Sequence, residues 1–195
     1  MRVALIGPGD PAFYFSNVVK LPDYKDHLRR IASALKEHEI VLLPDKGVSL
    51  ELAEIYKEMG GKRVIATAPL KDRVFGIAHL QPFLEGKPLF DEIIDTEDWF
   101  KQDHLHILFG DVVLVLGKSL GTMGELMYGT YLLNLLKKGR IKLSQINPHL
   151  RADENFQILV YKPFIKEGLD FEIERYLEHY NIPLKYVNAE ELESF

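Results

Sequence analysis

Short apolar runs alternate along this chain with longer stretches whose apolar residues recur every three or four positions. The runs Arg2–Ile6, Glu39–Leu43, Val64–Thr67, Asp91–Asp95, Val112–Leu116, Phe156–Tyr161 and Leu184–Val187 are too short for helices, and most are rich in branched residues. They read as buried strands. Between them the period changes. From Asp23, a candidate N-cap, Leu28, Ile31, Ala32 and Leu35 share one helical face. Val48–Met59 places Leu52, Ile55, Tyr56 and Met59 inward and is closed by Gly60-Gly61. Further helices are expected at Thr96–Leu108, Thr122–Lys138 and Leu169–His179. Residues 68–90 hold Pro69, Gly76, Pro82, Gly86 and Pro88 and read as an irregular inserted loop or lid.

Strands that alternate with helices imply right-handed crossovers. The expected architecture is α/β, a three-layer sandwich with helices on both faces of a mostly parallel sheet. A chain of 195 residues, 47% of them hydrophobic, can bury this as one domain over residues 1–195, with 141–195 a C-terminal extension of the sheet. Ligands of such sheets sit beyond the carboxyl ends of the strands. Here that edge carries the loops 7–17, 44–49 and 117–122, and the 68–90 segment leaves from it too.

The loop after Val112–Leu116 carries the most chemistry. Gly117-Lys118-Ser119-Leu120-Gly121-Thr122-Met123-Gly124-Glu125 joins a buried strand to a long helix. Backbone N–H groups at such a helix start favour a phosphate or another anion. Thr122 is expected to cap the helix, with Glu125 completing a capping box. Gly7 and Gly9 in the first loop and Gly47 in the second would face the same edge. Gly-Lys-Ser here is no Walker A loop, since the earlier glycine that motif requires is replaced by strand residues.

This order of residues resembles the Lonely-Guy and lysine-decarboxylase-like family, within a wider Rossmann-like nucleotide-binding group that includes molybdenum-cofactor carrier proteins. The likeness spans about residues 1–140. The family signature is Pro-Gly-Gly-x-Gly-Thr-x-x-Glu after a buried strand; Gly121, Thr122 and Glu125 match it, while Gly117-Lys118-Ser119 replaces its start. Pro44-Asp45-Lys46-Gly47-Val48, Gly60-Gly61 and Val64-Ile65 resemble the family's earlier loop, helix end and third strand. The resemblance implies a nucleotide or phosphoribosyl-type ligand, held by Gly7, Gly9, Gly47, Gly117, Lys118, Ser119, Gly121 and Thr122, with Glu125 catalytic. Lonely-Guy enzymes cleave the N-glycosidic bond of a nucleoside monophosphate using that glutamate and an arginine in a Glu-Arg-Lys run. The run falls here at Lys101-Gln102-Asp103, and a glutamine cannot supply the cationic fork. Two ligand-binding readings stay open: a phosphoribohydrolase with a substitute cation (Lys46, Lys71, Arg73 or Lys118), or a non-catalytic cofactor carrier or nucleotide sensor. A third, a structural partner protein using only the leucine-rich helix, implies no ligand.

Net charge and composition narrow the partners. A charge of −5 argues against a nucleic-acid partner, and the absence of cysteine excludes disulfides and thiolate metal sites. No apolar run reaches membrane length and the first strand starts at Arg2, so a cytoplasmic location without a membrane partner is expected. No resident cofactor is expected. His104 and His106, two apart on a helix, point to different faces, and no metal site is expected. Trp99 and Phe100 read as core or interface anchors. The helix Thr122–Lys138 carries Met123, Leu126, Met127, Tyr131, Leu132, Leu133, Leu135 and Leu136, more apolar surface than one sheet face needs. In the resembled family the equivalent helix builds the dimer, which implies a homodimer.

Overall fold

The computed structural model describes residues 1–86 and 88–195; position 87, within the 68–90 segment, lies outside the described residues. The chain runs β1 (Arg2–Ile6), α1 (Pro11–Phe13), a π-type turn at Tyr14–Val18, α2 (Tyr24–Ala34), β2 (Glu39–Leu42), α3 (Val48–Glu58) and β3 (Arg63–Ala68). It continues through α4 (Gln81–Leu84), β4 (Glu92–Asp95), α5 (Trp99–Leu105), a 3-10 turn at His106–Phe109, β5 (Val112–Val115) and α6 (Leu120–Lys137). It ends with α7 (Leu143–Ile146), β6 (Gln157–Tyr161), a 3-10 turn at Lys162–Phe164, α8 (Phe171–His179), β7 (Leu184–Val187) and α9 (Ala189–Glu193).

The seven strands form one sheet in the order β4-β3-β2-β1-β5-β6-β7. Every pair is parallel, so the sheet is wholly rather than mostly parallel. Ala4 stands in register with Val41 on one side and Val113 on the other. Alternation then splits the core in two. Val3, Leu5, Ile40, Leu42, Val112 and Leu114 pack with Leu28 and Ile31 of α2 and Leu52 and Tyr56 of α3. Ala4, Ile6, Val41, Val113 and Val115 pack with Leu105 of α5 and Leu126 and Leu133 of α6. Residues 141–195 supply β6 and β7, which extend the sheet beyond β5. This is a Rossmann-like three-layer fold.

Several helix starts depart from the sequence pattern: α8 begins at Phe171 behind an Asp170 cap and not at Leu169, and Asp23 makes no side-chain cap bond to α2. The long helix is capped by Ser119, not Thr122: Ser119 is extended (φ −143°, ψ 172°) and its side chain accepts the Thr122 N–H. Glu125 therefore lies inside α6 and no capping box forms with Thr122. The expected Thr96–Leu108 helix begins only at Trp99, where the Asp98 side chain accepts from the Lys101 N–H. Thr96 instead donates its hydroxyl to Gln102 Oε1 at 2.8 Å.

The outer surface of α6 is uneven. Leu126, Thr130, Leu133 and Asn134 are buried, while Leu120 (96% exposed), Tyr128 and Tyr131 face outward. Within one chain the helix is thus covered on one side. Among the described residues no helix is long and apolar enough to cross a membrane.

Candidate functional site

Reversal of strand order at β1 and β5 opens a crevice at the carboxyl edge of a parallel sheet. A cleft of ≈ 490 Å³ lies there. The loop after β1 contributes Gly7 and Gly9, and the loop after β2 contributes Asp45, Lys46, Gly47 and Ser49. From α6 come Ser119, Gly121, Thr122, Glu125 and Tyr128. Of the residues expected from the sequence, Gly117 and Lys118 are not among the lining residues. The Lys118 N–H donates to the Tyr14 hydroxyl at 3.0 Å, behind the cleft.

The first two loops are held against each other through backbone. Val48 N–H donates to Pro8 C=O at 3.0 Å. Gly47 has φ +151°, and a Cβ there would sit 2.9 Å from the Pro8 carbonyl oxygen, so only glycine fits. Helix α3 starts with no side chain capping it, and α6 starts at Ser119, so both helix N-termini open on the cleft. Each presents N–H groups and about half a positive charge.

The opposite wall comes from α5 and the turn after it, and spacing along the chain did not reveal it. Phe100, Asp103, His104 and His106 all line the cleft. The His104 ring lies 3.9 Å, centroid to centroid, from that of Tyr128. His104 and His106 reach the same cavity because α5 ends at Leu105 and the tighter 3-10 turn begins at His106. Among the described residues no group of three or more His, Asp or Glu side chains could hold a metal ion.

Gln102 does not face the ligand space. It is fully buried, and its Nε2 donates to Thr67 Oγ1 at 2.9 Å. Thr67 Oγ1 lies 3.0 Å from His106 Nδ1, and His106 Nε2 donates to the Leu5 carbonyl at 3.0 Å. Burial pushes His106 down to about 4, so the ring is neutral near pH 7 and Nδ1 accepts. This chain of hydrogen bonds ties the wall to β1 and β3. Of the candidate substitute cations, Lys46 alone lines the cleft. Lys71 pairs instead with Asp95 at 2.9 Å.

Glu125 is the most perturbed acid in the cleft. Burial, and then the charge of Asp103, push its carboxyl up to about 8, and among the described residues no hydrogen bond or cation offsets them. The segment after β3 borders the same mouth. Asp72 accepts the N–H groups of Val74, Phe75 and Gly76, while Trp99 Nε1 donates to Gly76 C=O at 2.8 Å. Trp99 is therefore an anchor for that segment, stacked on His79 with centroids 5.4 Å apart.

No family model and no curated protein matches this chain. Solved structures do match. The molybdenum cofactor binding protein of the phototrophic bacterium Rippkaea orientalis superposes with a TM-score of 0.55 at 16% identity, over 97% of this chain and 90% of that one. Two structures of the molybdenum cofactor carrier protein of Chlamydomonas reinhardtii give 0.55 and 0.56 at 14% identity. They cover 99% of this chain and 93% and 97% of theirs. At such identities the likeness shows the fold.

Substituting Gln102 by arginine, the residue at this position in the resembled family, would bury an unpaired guanidinium among Thr67, Thr96 and His106. Gln102→Arg is expected to destabilise by about 3 kcal/mol or more, read as a lowered denaturation midpoint. A variant as stable as the parent would show that this side chain can turn into the cleft.

Proposed function

We propose that the chain binds a phosphorylated small molecule, a nucleotide or phosphoribosyl-type ligand, in the cleft at the β1/β5 switch point. The observation that carries this is the opening of two helix N-termini, α3 at Gly47–Ser49 and α6 at Ser119–Thr122, into one cavity of ≈ 490 Å³. Backbone N–H groups at both ends would take phosphate oxygens, the Ser119 and Thr122 hydroxyls would add donors, and Lys46 would add charge. Close packing through Gly7, Gly9 and Gly47 would let the ligand approach backbone. Gly117 and Lys118 would act from behind, by setting where α6 begins.

Of the two ligand-binding readings left open, a non-catalytic carrier or sensor is favoured over a phosphoribohydrolase. Gln102 is bound to Thr67 and Thr96, and no arginine lines the cleft among the described residues, so a developing charge on a sugar phosphate would meet little fixed cation. The names of the structural neighbours, a molybdenum cofactor binding protein and a carrier protein, support the same reading.

A thermal-shift panel of nucleoside mono-, di- and triphosphates, ribose 5-phosphate and pterins tests it. A bound ligand at 100 times its Kd stabilises by about 2.7 kcal/mol, a rise of several degrees in Tm for a chain of this size. No free base should be released by the parent protein. Base release abolished by Glu125→Ala would establish the hydrolase instead, and silence across the panel would overturn ligand binding altogether.

A second copy of the chain is proposed to cover the outward face of α6 at Leu120, Tyr128 and Tyr131. Light scattering at micromolar concentration should give twice the chain mass, and a Tyr131→Glu variant should give the monomer. A monomeric parent protein would contradict this.

A further inference from the structure

The cleft read above as an anion site is lined by three carboxyl groups, Asp45, Asp103 and Glu125, against one lysine, Lys46. With all three ionised, the two helix ends, at about half a positive charge each, would not bring the lining to neutrality. A phosphate would then be repelled by the walls that enclose it. The cavity needs one carboxyl to be neutral, and its construction singles out which. Glu125 sits in the second turn of α6 and faces Asp103 on α5, the helix packed beside it. Asp103 is exposed at the mouth, whereas Glu125 is half-buried in the lining.

We propose that Asp103 is a positioning residue that keeps the Glu125 carboxyl protonated, so that Glu125 meets the anionic end of the ligand as a hydrogen-bond donor. Binding of the anion is thereby coupled to a proton held on this pair. The inference rests on the ligand class proposed above and deepens it, since it assigns a role to a wall that opposes the helix ends. The direction of the Glu125 shift agrees: burial first and Asp103 second favour the uncharged acid. Asp103 is itself raised, by burial partly offset by His104.

The other groups that face the pair are few. His104 lies against Tyr128 on the same wall, and burial keeps the His106 ring neutral while its Nε2 donates to the Leu5 carbonyl. From the loop after β2 come Lys46 and Asp45, the latter 3.8 Å from His79 Nε2. An anion arriving beside Glu125 stabilises its protonated form further, so the complex takes up a proton where the free protein has lost one. Affinity is full below the free-protein value of about 8 and declines above it.

Isothermal titration with AMP between pH 7 and 9.5 reads this, because the phosphate is already a dianion over that range. In the parent protein affinity should fall by up to about tenfold per pH unit above pH 8. Glu125→Gln keeps an uncharged donor and should remove that fall. Asp103→Asn should move its onset to lower pH. As an independent readout, carbon-13 NMR of the free protein should show the Glu125 carboxyl titrating near 8, and lower in Asp103→Asn. A flat profile in the parent, a fall unchanged in Glu125→Gln, or an ordinary carboxylate titration of Glu125 would each overturn the proposal while leaving the anion site standing. Absence of binding by AMP, inorganic phosphate and pyrophosphate at pH 7 would overturn the site itself.

Discussion

Two backbones approach each other at Pro8 and Gly47, and the cleft depends on that contact. Val48 N–H donates to Pro8 C=O, and the glycine leaves no Cβ where one would collide with that oxygen. With the loops after β1 and β2 locked together, α3 starts at the cleft instead of beside it. Its first N–H groups remain without a side-chain cap. An uncapped, aligned helix start is costly to bury and useful to a ligand, which is why such ends gather where anions bind.

A second set of constraints faces this one. The Gln102–Thr67–His106 hydrogen bonds fasten α5 and its 3-10 turn to the sheet, with the His106 ring reaching the Leu5 carbonyl of the central strand. That leaves Asp103 and His104 on the free side of the helix. The cleft therefore combines two donor-rich helix starts with three carboxyl groups, one each from α5, α6 and the loop after β2. Helix starts and carboxyl groups make opposite electrostatic demands on an anion, and the proposed proton on Glu125 reconciles them.

Much of the fold was legible because parallel strands buried on both faces leave continuous apolar runs. Val112–Val115 and Arg2–Ile6 could be read at sight, and the helices between them dictated the parallel order. Cap positions were less legible. Thr122-x-x-Glu125 has the spacing of a capping box, yet the extended backbone of Ser119 places the cap three residues earlier. The glycine loops and Glu125 announced themselves through spacing. The α5 wall did not, because the nearness of Asp103 to Glu125 is set by how α5 packs on α6, and no local pattern encodes that packing. Gln102 shows the same limit from the other side. It stands where the resembled family has its arginine, and burial and partnering with Thr96 and Thr67 make it a structural link, which the run Lys101-Gln102-Asp103 does not reveal.

The most direct test of the anion-binding cleft is a two-dimensional amide NMR titration of the protein with inorganic phosphate and with AMP. The account predicts saturable shifts concentrated on the N–H groups of Gly47–Ser49 and Ser119–Thr122, the two helix starts that open on one cavity. Shifts that never saturate, or that saturate away from both helix starts, would contradict it.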